Sequence, residues 1–241
     1  MPYERHNELE PLDLQDPLWR YMDFTKFVAM LVTKKLYLTR VDKLGELGDK
    51  FEGLFPIAPK SGFTGFFAEK DTQRYCTEKS KDAGRFYYAN CWHGNDNESD
   101  AMWKVYVKCN QGIAIRTTFR RLRDSLKKAP GRIWIAKVKY LTKHEWKNLP
   151  DHPTLHACMT KRKSFEHEKE VRVIWFDKDA ERSRRVGQEG KEVRCDLAKL
   201  IEKVYLAPTN SRWFKPVVES VLRTYGIETE VVQSDLDSEP A

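Results

Sequence analysis

The run Phe86-Tyr87-Tyr88-Ala89-Asn90-Cys91-Trp92 constrains the fold more than any other segment. Aromatic and apolar residues this dense, closed by the break His93-Gly94-Asn95, read as a strand. Further strand signals lie at Leu18 to Met22, Leu36 to Val41, Gly112 to Thr118, Ile133 to Tyr140, Val171 to Phe176, Glu192 to Cys195, Val204 to Ala207 and Glu228 to Gln233. Helical spacing appears between them. Asp23 is placed to cap a helix reaching Lys35, because Phe24, Phe27, Val28 and Leu31 fall at i, i+3, i+4 and i+7. Asn97 or Ser99 opens a second helix to about Lys108, with Met102, Val105 and Tyr106 as one apolar stripe beside Trp103. A basic helix from Phe119 to Lys128 and a last one from Trp213 to Tyr225 complete the pattern.

Strands and helices alternate without a regular β-α-β beat, so the expected class is α+β: a single domain with a mixed, largely antiparallel sheet flanked by helices. Residues 1–17 are acidic and punctuated by Pro2, Pro11 and Pro17, and read as an arm; residues 18–234 form the globular domain, and 235–241 a disordered acidic tail. Between Asp42 and Thr64 lie four glycines and two prolines, the composition of a loop. A loop this long is either functional or disordered, and Asp49-Lys50-Phe51-Glu52-Gly53, which mixes charge with an aromatic, favours function. The polar stretch from Glu69 to Arg85 reads as an exposed helix or insertion.

The longest apolar stretch, Phe24 to Val32, is broken by Lys26, well short of the roughly 20 apolar residues a membrane span needs. The start of the sequence lacks the cationic and apolar regions of an export signal, so a cytoplasmic location is expected. Five widely spaced cysteines, Cys76, Cys91, Cys109, Cys158 and Cys195, without any Cys-x-x-Cys, read as reduced thiols in or near a core.

Three polar clusters carry the candidate chemistry. The densest is Lys161-Arg162-Lys163-Ser164-Phe165-Glu166-His167-Glu168-Lys169-Glu170-Val171-Arg172, directly ahead of Val173-Ile174-Trp175-Phe176. If the strand begins near Glu168, alternation puts Glu168, Glu170 and Arg172 on one face and Lys169, Val171 and Val173 on the other. Two carboxylates and a guanidinium then line a cleft; the ordinary reading of the same residues is a solvated Arg and Glu ladder. The second cluster, Cys91 to Trp103, delivers a polar loop into a helix start at Ser99, where backbone amides favour anions. Cys91 and His93 share a strand face there, without a third ligand or orienting partner at usable spacing. The third combines Trp19-Arg20-Tyr21, Leu38-Thr39-Arg40 and the loop with Phe51 and Glu52: Arg can clamp phosphate, and Tyr or Trp can stack on a heterocycle.

Together these clusters resemble a prokaryotic family, domain of unknown function 2971. The likeness is carried by Leu18-Trp-Arg-Tyr-Met, Lys35-Leu-Tyr-Leu-Thr-Arg40, Phe51-Glu-Gly53, Cys91-Trp-His, Glu98-Ser-Asp-Ala-Met-Trp103, Gly112-Ile-Ala-Ile and the run Lys161 to Arg172. The order of elements is also similar, more distantly, to ADP-ribosyltransferases, notably those that modify DNA. That second resemblance implies an ADP-ribosyltransferase-like fold and NAD as co-substrate, with no metal. By position it makes Arg40 the cofactor-holding arginine and Glu170 the catalytic glutamate, with Glu168 and Glu166 crowding it. A carboxylate suits this chemistry, because breaking the bond between nicotinamide and ribose passes through an oxocarbenium-like state. Arg20 or Arg40 would meet the pyrophosphate, Tyr21 or Trp103 would stack on a ring, and the helix start at Ser99 would face a phosphate.

One function class is therefore an NAD-using transferase or glycohydrolase, in a toxin or phage-defence setting. A second is a non-catalytic nucleic-acid or protein-binding module, which the basic residues Arg116, Arg120, Arg121, Arg123, Lys127, Lys128, Arg132, Lys137, Lys139 and Lys143 motivate. A metal-dependent nuclease using Glu98, Asp100, Glu168 and Glu170 is a weaker third. The net charge is +7, and both ends are acidic, so the folded body is more basic than the total. An anionic partner, nucleotide or nucleic acid, is expected.

Overall fold

The computed structural model describes residues 2–46, 49, 52, 78, 82–107, 111–142, 144–145, 154–185 and 187–236. β1 (Pro17–Asp23) runs into α1 (Phe24–Thr33), which closes on Lys34 in the left-handed region, φ 53°, with the Lys34 amide donating to the Met30 carbonyl. After β2 (Lys35–Arg40) a 3-10 helix covers Val41–Glu46, and β3 (Tyr87–Gly94) and α2 (Asp100–Tyr106) follow. β4 (Gly112–Thr118) leads to α3 (Phe119–Ser125), then β5 (Arg132–Lys137), β6 (Lys139–Leu141), α4 (Thr154–Ala157) and β7 (Thr160–Arg162). A second 3-10 helix, Lys163–Glu168, precedes β8 (Glu170–Phe176) and α5 (Lys178–Ser183). β9 (Gly190–Arg194), α6 (Leu197–Leu200), β10 (Lys203–Leu206), α7 (Phe214–Thr224) and β11 (Glu230–Gln233) end the chain's regular structure.

Among the described residues nine strands form one sheet in which β10 and β11 are parallel and the other pairs antiparallel; β6 and β7 make a small parallel pair beside it. The expected α+β class with a mixed, largely antiparallel sheet is what the chain adopts. Among the described residues no helix is long and apolar enough to cross a membrane.

The aromatic run at β3 is the hub. β8 pairs with it from Tyr87 opposite Phe176 to His93 opposite Glu170, which uses one whole edge of the strand. The other edge is divided. β1 meets it at His93 and Gly94, β2 at Tyr88 and Ala89, so the sheet forks around Asn90 to Trp92. Asn90 occupies the fork, donating from Nδ2 to the Tyr37 carbonyl at 2.8 Å and accepting from Trp92 Nε1 at 2.7 Å.

Strand alternation and register assign the two faces. One face carries Leu18, Met22, Leu36, Leu38, Tyr88, Trp92, Ile113, Ile115, Val171, Val173 and Trp175, and α1, α3, α6 and α7 cover it to make the main apolar core. The opposite face has two smaller apolar clusters. Trp134, Ala136, Ala89 and Ile174 pack on Leu155, Cys158 and Met159, and Trp19, Tyr21 and Ala114 pack on Met102 and Trp103.

Several boundaries depart from expectation. The segment expected as one strand from Ile133 to Tyr140 breaks after Lys137, because β6 leaves the main sheet to pair with β7. The basic helix ends at Ser125 rather than Lys128. Asp23 sits at the start of α1 without capping it and pairs with Lys26 at 3.2 Å instead. The acidic arm is docked: the Ile133 amide donates to the Pro2 carbonyl, the Glu4 amide to the Ile133 carbonyl and the Lys137 amide to the Glu10 carbonyl. Apart from the first 3-10 helix, Asp49 and Glu52, the expected loop from Asp42 to Thr64 lies outside the described residues, as do most of the stretch from Glu69 to Arg85 and all of the tail after Leu236.

The helix-covered face holds the fold. Ile115 is 0% exposed in its centre, so Ile115→Ala removes packing that nothing refills and is expected to cost about 2–5 kcal/mol. Val217→Ala, on the outer side of α7, should change stability by less than about 0.5 kcal/mol. Urea unfolding of the two variants checks the contrast.

Candidate functional site

Arg172 lies in the middle of β8, on the face opposite the main core, and is 0% exposed. A buried guanidinium must satisfy its donors with local acceptors. Glu170, two residues back on the same face, accepts from Nε at 3.0 Å and from Nη2 at 2.8 Å, a bidentate pairing. The Cys158 carbonyl, just past α4, accepts from Nη1 at 2.7 Å, and Glu52 pairs with Nη2. Lys161, on β7, reaches the same place: its Nζ is 2.7 Å from Glu168, 3.5 Å from Glu170 and 3.7 Å from Glu52. Among the described residues three carboxylates thus face two cations, which leaves one negative charge in excess when all are ionised.

Glu168 arrives by a different route from the one expected. It ends the second 3-10 helix rather than beginning β8, and Lys169 follows in the left-handed region at φ 40°. That kink, not strand alternation, brings Glu168 to the cluster. Its carbonyl lies 2.6 Å from His93 Nδ1. A carbonyl only accepts, so Nδ1 carries the proton and Nε2 presents a lone pair. Nε2 is buried without a hydrogen-bond partner among the described residues, and His93 is directly across from Glu170 on the same face. The Glu170 amide donates to the Tyr140 hydroxyl at 2.7 Å, which fixes the start of the strand.

The environments push the two Arg172-bound carboxyls apart. Burial opposes ionisation of Glu170, but Arg172, by charge and hydrogen bond, and Lys161 outweigh it and hold the carboxyl down to about 2. Glu52 goes the other way: burial, helped by the neighbouring Glu170 and Glu168, raises its pKa despite Arg172 and Lys161. Burial lowers the pKa of His93 against the opposing Glu168 carbonyl, so the ring is neutral at pH 7. Cys91, on the same face, is held well above the ordinary thiol range by burial and by Glu170, and is a thiol rather than a thiolate.

The residues expected to form a site divide between the two faces of the sheet. Glu170, Glu168, Tyr21, Trp103 and Ser99 fall on one side. Tyr21 and Trp103 are buried edge-to-face at 4.9 Å between ring centres, and Tyr21 also meets His93 edge-on at 6.3 Å. They wall the cluster with rings already packed. The Ser99 amide donates to the Tyr21 hydroxyl at 2.8 Å, and its Oγ caps α2 at the Met102 amide. Arg40 and Arg20 are on the other face. Arg40 opposes Tyr88, five residues along β3 from His93, and is spent on Asp42 at 2.6 and 3.1 Å and on the Gly187 carbonyl at 2.7 Å. Arg40 and Glu170 are therefore not brought together.

Arg20 differs from Arg40. Its guanidinium lies 5.7 Å over Trp92 at the fork, with Nη1 buried and unpartnered among the described residues. Burial lowers its pKa, and the groups acting on it are Cys91, Tyr106 and Cys195, none of them a carboxylate. Arg20 thus lies at the fork, on the face opposite Glu170.

The basic face is largely committed. Arg116 pairs with Glu202, Arg123 and Lys127 with Asp124, Arg132 with Glu4 and Lys137 with Asp16, while Arg121 donates to the carbonyls of Ala198 and Ile201. Of the residues named for a metal nuclease, Glu98 accepts from Trp103 Nε1 and Asp100 pairs with Lys104, away from Glu168 and Glu170. Arg172 belongs with Glu170 and Glu168 as the sequence grouped them, whereas Lys161, to which the sequence gave no role, and Glu52 and His93, which it put in separate clusters, join the same site. The available signal was Arg172 itself, a charge inside an apolar strand.

No protein-family model matches the chain, and no curated protein matches it in sequence.

Removing Arg172 strands two buried carboxylates, so Arg172→Leu is expected to lower stability by about 3–5 kcal/mol. The Glu170 contribution is present above the usual glutamate range and disappears as pH falls towards 2, because folding favours its ionised form. Glu52 acts in the opposite sense, since folding favours its protonated form. The gap in urea midpoint between the wild type and Glu170→Gln should accordingly shrink between pH 6 and pH 2.5.

Proposed function

We propose that the chain is an NAD-using enzyme of the ADP-ribosyltransferase or glycohydrolase type, with Glu170 as the catalytic carboxylate. The observation that carries the reading is the buried, ionised Glu170 in a site that gathers three glutamates around Arg172 and Lys161. Such a site favours positive charge, and cleavage of the nicotinamide–ribose bond develops that charge on the sugar. Glu168 lies beside it on Lys161, and Arg172 with Lys161 keeps Glu170 fixed and ionised before reaction.

The bonding pair leaves with nicotinamide, which departs as a neutral base. An acceptor hydroxyl or water forms the new bond at the same sugar carbon, and its proton passes to His93 Nε2, the open lone pair across from Glu170. The phosphates fall to Arg20, whose guanidinium meets no carboxylate among the described residues, rather than to Arg40, which Asp42 already neutralises. The distant likeness to ADP-ribosyltransferases implies both Glu170 and Arg40; Glu170 is kept, and Arg20 takes the place of Arg40.

Nicotinamide release from NAD, measured with water alone and with DNA, RNA or protein as acceptor, tests the proposal. Glu170→Gln is expected to lower the rate at least about 100-fold while NAD still raises the melting temperature. Arg20→Ala should weaken that thermal shift. NAD that stays intact with every acceptor, and that leaves the melting temperature unchanged, would overturn the reading.

A further inference from the structure

A second constellation lies away from the charged cluster, where the docked arm crosses α4. His156 Nε2 is 2.6 Å from Glu8 Oε2, and the rings of His6 and His156 meet nearly edge-on at 5.8 Å. One ligand atom from each of His6, Glu8 and His156 lies within 4.8 Å of the other two. A tight turn makes the pairing of His6 with Glu8: the Leu9 amide donates to the His6 carbonyl, and the Glu8 amide to His6 Nδ1 at 3.3 Å. Nδ1 is thus occupied by the backbone, which leaves Nε2 of His6 for a ligand.

The three side chains are held from both directions. The arm is pinned before them by the Glu4 amide on the Ile133 carbonyl, and after them by the Lys137 amide on the Glu10 carbonyl. On the other side His156 is anchored by its neighbours, since Leu155 and Cys158 are buried and the Met159 amide donates to the His156 carbonyl. Glu8 is the exposed and adjustable member.

We infer that His6, Glu8 and His156 bind a zinc-class divalent cation that fastens the arm to the α4 segment. Two imidazoles and a carboxylate suit zinc and its transition-metal neighbours, whereas magnesium and calcium require oxygen ligands. Zinc bonds of about 2.0–2.2 Å put tetrahedral ligand atoms about 3.3 Å apart, so the widest pair closes by at most about 1.5 Å while the hydrogen-bonded His156–Glu8 pair opens slightly. The fourth position opens to solvent and takes water. Two residues beyond His156, the Cys158 carbonyl orients Arg172, so the ion steadies one support of the charged cluster. The site stands independently of any reaction at Glu170.

The test is zinc binding by the full chain after dialysis against chelator, followed by metal content and melting temperature. One zinc per chain is expected, with a melting temperature raised by roughly 5 °C or more at about 100 times the dissociation constant, and no rise with magnesium. His6→Ala, on the exposed arm, should abolish the rise and retain the wild-type circular dichroism without metal; His156→Ala should do the same. Failure of the wild type to retain zinc or shift its melting temperature would overturn the inference. So would undiminished uptake by the variant carrying both substitutions, since that places the ion elsewhere.

Discussion

Burial of one guanidinium organises the second face of the sheet. Arg172 gives up solvent entirely, and the chain compensates with acceptors from three separate places: Glu170 beside it, Glu52 from 120 residues away and the Cys158 carbonyl past α4. Each acceptor commits a segment to a position. Lys161 repeats the demand with the same carboxylates, so β7, the second 3-10 helix and β8 are tied by charge where apolar contact is sparse. Replacing such a network by apolar residues is often neutral or stabilising in other proteins, so stability alone is a poor reason for its presence.

The two faces accordingly carry different duties. Four helices seal one face with a continuous apolar core, and that face supplies most of the buried area from which folding free energy is drawn. The other is broken into two apolar islands, with the ionic cluster between them. Polar chemistry is tolerable there because the opposite face already secures the strands. Lys169, a non-glycine residue at φ 40°, is a strained link in that arrangement, and its amide and carbonyl are both held, by Glu166 and Gly94.

Local patterns revealed the elements, whereas the site depended on facts that are not local. The aromatic run at β3 and the apolar run at β8 stand out because strand composition is written in consecutive residues. The parity that separates Arg40 from Glu170 is not so written: it follows from the pairing of Arg40 with Tyr88 and of Glu170 with His93, five positions apart on one strand. Ser99 was legible as a cap from its place before the apolar stripe of α2. Tyr21 and Trp103 looked like stacking groups because they are aromatic, yet an aromatic at helical or strand spacing serves equally well as core, and here both are buried. Glu168 was assigned to the correct cluster by the wrong geometry, since a single left-handed residue cannot be read from Lys169 in a charged run.

The docked arm has a bearing on association between chains. An edge strand exposes a row of unpaired amides and carbonyls to which any passing strand can add. Along β5, residues 2–10 meet part of that row, donating at Glu4 and accepting at Pro2 and Glu10. A foreign strand approaching β5 must first displace them, so the acidic segment protects this edge against aggregation as well as bridging to α4.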